Sequence, residues 1–185
     1  MKAALLAGLA VLIGSVLVGL APVRPPDIQN YRSWSLATDR PEDMSPRLML
    51  SCVGPRKWDS SPNPHIPRVF LVYVNPIGAK AMKAKNKVAF PDGTVIVKEK
   101  YPRIASLGAA VRLDIKQVQK GKPELLTVMA KNGGKWTYWA YGQDGKLMEG
   151  DTIYCQKCHE SAKDADFVFR HYIPGAPSIP GGWGR

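Results

Sequence analysis

A Cys-x-x-Cys-His motif, which runs from Cys155 to His159, constrains this chain more than any other stretch of its sequence. Two thiols with this spacing can bond to the two vinyl groups of one porphyrin, and the adjacent imidazole then falls under the iron. The spacing therefore predicts one covalent c-type haem per chain, attached through Cys155 and Cys158, with His159 as the proximal iron ligand.

Two other kinds of site also use closely spaced cysteines. A structural zinc ion needs four well-arranged ligands, and only Cys52 and two distant histidines remain to supply them. A redox dithiol normally lies at a strand-to-helix turn of a βαβ unit, and the surrounding pattern is not of that kind. Haem attachment is therefore the interpretation that the motif favours.

The N-terminus predicts export. An apolar run from Ala3 to Ala21 follows Lys2, so residues 1–21 are a signal peptide or a membrane anchor. A proline-rich spacer over residues 22–29, a haem domain over 30–173 and a Gly/Pro-rich irregular tail over 174–185 complete the predicted organisation. Lys2 on the inside places the body of the protein in the periplasm or otherwise outside the cytoplasm, where covalent haem is also attached.

The formal net charge of +11 limits the kinds of partner that the protein is expected to bind. A basic exported protein can dock on an acidic redox partner or an anionic membrane face, although a solvated basic surface explains the charge equally well. The lysines do not form one block with interleaved aromatic residues, so nucleic acid is not an expected partner.

Four segments rich in β-branched and aromatic residues predict strands. They are Val69–Val74, Thr94–Tyr101, Leu125–Ala130 and Trp136–Tyr141, the last two joined by a hairpin turn at residues 132–134. Asn75 and Pro76 predict the start of a helix that reaches about Lys85. Asn30 could cap a short helix over residues 30–36, and residues 164–170 fit either a helix or an extended run. The pattern predicts an α+β fold, mainly an antiparallel β-sheet with a few short helices, and a haem near its C-terminus.

The late position of the motif bears on how the iron is coordinated. Only 26 residues follow His159, and none of them is methionine. Small electron-transfer cytochromes draw an axial methionine from downstream of the motif, which is impossible here. Other candidates for the sixth ligand are Met82, Met129, Met148, His65 and His171. An open or weakly occupied sixth position is the main expectation, and it would make the iron a binding or reaction centre.

Three blocks of sequence resemble the cytochrome P-460 family. They are Val72–Pro76, Phe90–Glu99, and Cys155–Lys163 with Asp166–Phe169. The resemblance covers roughly residues 28 to 173 and is looser between the blocks. It implies a compact antiparallel sheet with a few helices, one c-type haem and usually a homodimer. Members of the family oxidise hydroxylamine or, in the related cytochrome c-prime-beta group, bind nitric oxide and similar small ligands.

Lys98 falls where the family has a lysine bonded to a meso carbon of the porphyrin, so the resemblance implies a second attachment of the haem here. Strand alternation puts Lys98 on the same face as Thr94 and Ile96, and that face would have to meet the haem. A lysine on an apolar inward face is costly unless it is paired, deprotonated or bonded. Lys100 continues the same face, however, so a solvated lysine at a strand end is the alternative.

The distal side of the haem is less well defined, and its catalytic residues are unknown. Family members that oxidise hydroxylamine place a glutamate there as a proton acceptor. The matching place in this chain is residues 125–129, which have no carboxylate, although Glu124 is close. Phe70, Phe90 and Thr127 are the candidates for the distal pocket. The two phenylalanines could form an aromatic cap that favours small apolar diatomic ligands, or they could be ordinary core residues.

These observations predict an exported mono-haem c-type cytochrome that binds or oxidises small nitrogen species such as hydroxylamine and nitric oxide. Two alternatives stay open: a nitric-oxide-binding haem protein without turnover, and a six-coordinate electron-transfer cytochrome. Lys98 favours oxidation, whereas the missing carboxylate favours binding alone.

Overall fold

The computed structural model describes residues 23–43, 68–102, 114–150 and 152–176, so the predicted export segment, Cys52 and His65 lie outside the described residues. The strands are β1 (Ser35–Leu36), β2 (Glu42–Asp43), β3 (Arg68–Val74), β4 (Val95–Pro102), β5 (Leu125–Asn132) and β6 (Lys135–Gly142). The helices are α1 (Pro76–Lys83), α2 (Ile115–Lys120) and α3 (Ile153–Glu160), with 3-10 turns at Tyr31–Ser33 and Lys163–Ala165. No helix within these ranges is long and apolar enough to cross a membrane.

All six strands form one antiparallel sheet, which confirms the predicted fold class. The strand order is β1-β3-β4-β5-β6, and β2 also pairs with β3. The hairpin between β5 and β6 turns at Gly133 and Gly134, whose φ angles are 55° and 72°. Residues other than glycine rarely adopt this left-handed backbone conformation, so the two glycines allow the tight turn.

Alternation along β4 divides its side chains between the two faces of the sheet. Ile96, Lys98 and Lys100 lie on one face, which also carries a core cluster that includes Val72 and Met129. The opposite face packs Val69, Leu71, Tyr73 and Tyr101 against Val118 of α2 and against Tyr31 and Leu36 of the N-terminal segment. One face of the sheet therefore packs against the C-terminal part of the chain, and the other face packs against the N-terminal part.

Helix α1 begins as the sequence predicts. Asn75 accepts a hydrogen bond from the main-chain N–H of Gly78, and its amide donates to the carbonyl of Gly93 at 2.8 Å. The helix ends at Lys83, about two residues before the predicted end. The buried guanidinium of Arg170 donates to the carbonyls of Ala81 and Ala84 at this end, which fixes the C-terminal segment to the helix.

Two shorter predictions differ from the structure. The predicted helix over residues 30–36 is only a 3-10 turn, and the Asn30 side chain makes no capping hydrogen bond. Ser35 and Leu36 instead pair with β3, because strand pairing satisfies their main-chain groups better than an isolated short helix would. Residues 164–170 combine the end of the second 3-10 turn with non-helical chain.

Candidate haem site

Helix α3 carries the Cys-x-x-Cys-His motif. Cys155, Cys158 and His159 occupy positions i, i+3 and i+4, which lie on one face of a helix. All three side chains line the same cleft. Helical geometry therefore brings together the two thiols and the imidazole that the sequence motif predicts to act together.

The cleft lies between α3 and the face of the sheet that carries Lys98. It encloses about 800 Å³ of space, which includes open solvent at its mouth. Its sheet wall includes Val72, Ile96, Lys98, Thr127, Met129 and Tyr138. Phe169 and Tyr172 of the C-terminal segment also line the cleft, and the lining is mostly apolar.

His159 is held in one tautomer. Its Nδ1 atom lies 2.6 Å from the carbonyl oxygen of Phe167. A carbonyl can only accept, so Nδ1 carries the proton and Nε2 carries the lone pair that could bind a metal. The ring also packs against Tyr138 and Phe169, each with ring centroids 4.9 Å apart.

Electrostatics keep this imidazole neutral. Burial lowers the pKa of His159 to about 4, against the opposing effect of the Phe167 carbonyl, and the positive charges of Lys98 and Lys100 lower it further. Neutral imidazole is the form that ligates iron. The cleft, the paired thiols and the oriented neutral histidine together fit a covalently attached haem.

Lys98 lines the cleft on the wall formed by the sheet. It pairs in register with Val72 on β3 and with Thr127 on β5, so the three side chains form a row across the sheet. Its ammonium lies 3.9 Å from the centroid of the Phe70 ring, a cation–π contact that compensates part of the cost of the inward charge. A covalent bond from Lys98 to the porphyrin stays a prediction.

The three distal candidates occupy different places. Thr127 lines the cleft beside Lys98. Phe70 is buried beneath the Lys98 ammonium and packs against Tyr172, which itself lines the cleft. Phe90 lies outside the cleft lining, and its buried ring packs edge-on against Trp136 with centroids 5.8 Å apart. Phe90 therefore has a core environment.

The possible sixth ligands are also separated by the fold. Met129 lines the cleft, whereas Met82 is fully buried in the core and Met148 is 39% exposed. His171 is outside the cleft lining and packs against Tyr172 with ring centroids 5.4 Å apart. Burial, with a contribution from the charge of Lys98, lowers the pKa of His171 to about 4.

Several residues of the site were not among the sequence-based candidates. Tyr138, Phe169 and Tyr172 line the cleft, and the Phe167 carbonyl orients the histidine. Tyr138 could have been found, because alternation in the predicted strand puts it on the face that Met129 shares. The Phe167 carbonyl belongs to the main chain and carries no side-chain signal.

Comparison with known proteins agrees with this chemistry. No curated protein matches the sequence. A family model described as Cytochrome P460 matches residues 28–170, which is most of the chain. That range includes the Cys-x-x-Cys-His motif and the strands that form the sheet wall of the cleft. The protein therefore belongs to the cytochrome P460 family and is a c-type cytochrome with covalently bound haem.

Proposed function

We propose that this cytochrome binds small nitrogen species, hydroxylamine or nitric oxide, at one haem per chain. The observation that carries the proposal is the position of Cys155, Cys158 and His159 across one largely apolar cleft from Lys98 and Thr127. When bound, haem c supplies an iron that can bind small ligands and exchange electrons.

The chain's own residues would hold and shield this group. Cys155 and Cys158 would form the thioethers, His159 would ligate the iron through Nε2, and Lys98 would bond to the porphyrin from the sheet. The side chains of Val72, Phe169 and Tyr172 would exclude water from the cleft. A small ligand would then compete less with water for the cleft.

Ligand capture is the form of the proposal that the cleft supports best. Oxidation of hydroxylamine needs a group that accepts its protons. Among the lining residues that the structure describes, the ionisable side chains are two lysines, a histidine, two tyrosines and the two cysteines, and none is a carboxylate. The segment from Leu125 to Met129, where the resemblance would place a glutamate, contributes Thr127, Val128 and Met129 to the lining instead.

Two measurements on the purified haem-bearing protein test this proposal. Titration of the reduced protein with nitric oxide should give a saturable change in the absorption spectrum. Steady-state oxidation of hydroxylamine with an artificial electron acceptor then separates turnover from capture. A protein that binds neither compound would contradict the proposal.

Electron transfer without an exogenous ligand is the second candidate, and Met129 is the observation that favours it. Met129 lines the cleft, and a histidine–methionine pair is the axial arrangement of electron-transfer cytochromes. A low-spin six-coordinate spectrum of the reduced protein that is lost in Met129→Leu, but not in Met148→Leu, would establish this function in place of ligand binding.

The cellular setting is also part of the proposal. An export segment at residues 1–21 would deliver the protein to the periplasm, cleaved or as an anchor, and its basic surface would meet an acidic redox partner. A homodimer is the proposed assembly. Light scattering of the mature protein measures the assembly, and electron transfer to an acidic acceptor should slow as salt screens the charges.

A further inference from the structure

The loop after helix α3 contains an uncommon main-chain conformation. Asp166 and Phe167 have φ angles of 54° and 62°, and within the described ranges they are the residues other than glycine with positive φ. The left-handed backbone conformation is disfavoured for residues other than glycine, above all for a bulky residue such as Phe167. Such residues persist only where the surrounding structure holds them.

The side chain of Asp166 stabilises this main-chain conformation through two hydrogen bonds. Its Oδ2 atom accepts a hydrogen bond from the main-chain N–H of Phe90 at 2.6 Å and another from the Lys131 ammonium at 2.7 Å. The side chains of Asp166 and Lys131 are 15% and 9% exposed, so the pair is largely shielded from water. The carboxylate therefore connects the loop to β5 and to the segment that precedes β4.

The other end of the loop is fixed to α3. The N–H of Phe167 donates to the carbonyl of Ala162, and the N–H of Ala162 donates to the carbonyl of His159, both at 2.9 Å. The Phe167 carbonyl, which accepts from His159 Nδ1, thus belongs to a loop that is held by α3 on one side and by Asp166 on the other.

We propose that Asp166, together with Lys131, is a positioning residue for His159. The carboxylate keeps residues 166 and 167 in the left-handed conformation, and this conformation aims the Phe167 carbonyl at His159 Nδ1. A hydrogen bond at this nitrogen fixes the ring orientation of a metal ligand and raises its basicity. The inference rests on the proposed function in one respect, that His159 ligates the haem iron.

The test uses two variants of the haem-bearing protein. Asp166→Asn keeps the size of the side chain and tolerates the left-handed conformation, but it removes the charge that pairs with Lys131. Lys131→Gln removes the other charge and leaves Asp166 intact. Asp92→Asn is the matched control, because Asp92 also accepts from a main-chain N–H, that of Gly134 at 2.9 Å, in an exposed turn.

Two properties of the reduced and oxidised protein report on His159 directly. We expect Asp166→Asn to lower the iron–histidine stretching frequency in resonance Raman spectra and to raise the reduction potential, because a less basic imidazole stabilises ferric iron less. A tenfold change in the one-electron equilibrium constant, about 59 mV, is the expected scale. Lys131→Gln should shift both properties in the same direction, and Asp92→Asn should shift neither.

Each outcome decides between a positioning role and a purely structural one. Unchanged frequency and potential in both variants would overturn the inference, even if the variants unfold more readily than the wild type. If Asp166→Asn does not accumulate, Lys131→Gln alone carries the comparison against Asp92→Asn. An intact mass showing no covalent haem in the wild type would instead overturn the proposed function, and this inference with it.

Discussion

The Nδ1 atom of His159 and the carbonyl oxygen of Phe167 are 2.6 Å apart, although Phe167 is eight residues further along the chain. The helix that presents Cys155 and Cys158 thus also presents the imidazole, and the loop that follows the helix selects its tautomer. The groups proposed for haem attachment and for axial ligation therefore all belong to one short segment of the chain. The opposite wall, which carries Lys98, comes from the sheet and depends on the whole fold.

Replacement of His159 by glycine should separate attachment from ligation. The His159→Gly protein should keep its covalent haem, because Cys155 and Cys158 remain, but its reduced absorption spectrum should change as the axial ligand is lost. Added imidazole should restore the spectrum by filling the space of the missing ring. The glycine should also lower the free energy of unfolding, because it has a poor helix propensity and leaves a cavity where the imidazole packs against Tyr138 and Phe169.

His171→Gly is the control for this experiment, because His171 lies outside the cleft lining. Its reduced spectrum should match that of the wild type. A His159→Gly spectrum that equals the wild-type spectrum, or one that imidazole does not alter, would remove His159 as the axial ligand.

Lys98 and Lys100 form a matched pair for testing the second attachment of the haem. Both lie on the cleft face of β4. If Lys98 bonds to the porphyrin, the reduced Soret band should lie far to the red of ordinary haem c, and Lys98→Arg should return it to the ordinary position. Lys100→Arg should leave the band where it is in the wild type. A wild-type band at the ordinary position would refute the bond.

The parts of the site that the sequence could predict are those with a short-range signal. The spacing of Cys155, Cys158 and His159 follows from the chemistry of one porphyrin, and the period of two along β4 put Lys98 on an inward face together with Ile96. Both depend on residues that are neighbours in the chain. The fold class was predictable for the same reason, since each of the four longer strands, β3 to β6, carries its own β-branched and aromatic pattern.

Long-range contacts could not be predicted in this way. Asp166 is 35 residues from Lys131 and 76 from Phe90, and no local pattern relates them. Phe90 precedes the turn that leads into β4, so strand alternation gives no direction for its ring, which packs against Trp136. Leu36 shows the same effect on secondary structure, because pairing with Tyr73 replaces the predicted helix.

The buried carboxylate of Glu99, on the face of the sheet away from the cleft, should be a main contributor to stability. It accepts from Tyr31 Oη at 2.5 Å, from Arg32 Nε at 2.6 Å and from Tyr101 Oη at 2.7 Å, and its side chain is fully buried. Glu99→Gln keeps the shape but loses the charge and places an N–H₂ group against these donors. The free energy of unfolding in urea should fall by about 2–4 kcal/mol.

Glu42→Gln provides the comparison for Glu99→Gln. Glu42 pairs with Arg40 at 3.0 Å, and the Arg40 side chain is 61% exposed. Exposed pairs of this kind contribute little to stability, so Glu42→Gln should lower the free energy of unfolding much less than Glu99→Gln does. If the two substitutions lowered the free energy of unfolding equally, the buried interactions of Glu99 would stabilise the protein no more than an exposed ion pair does.

Tyr101 should make the protein sensitive to alkaline conditions. Burial raises the pKa of its phenol, and the hydrogen bond to Glu99 raises it further, well above the ordinary value. A folded-state pKa above the unfolded one means that the native state holds the proton more tightly. Its contribution to stability is therefore complete below about pH 10, the unfolded value, and is lost as the pH rises towards the folded value.

The measurement is the free energy of unfolding in urea at a series of pH values from neutral to strongly alkaline. Above about pH 10 the wild type should lose at most about 1.4 kcal/mol per pH unit through this one phenol, in addition to the losses from other groups. Tyr101→Phe should be less stable at neutral pH by about 1 kcal/mol, because Glu99 loses one donor, but its stability should fall less steeply in alkali. Parallel curves for the two proteins would mean that Tyr101 does not hold its proton more tightly in the native state than in the unfolded chain.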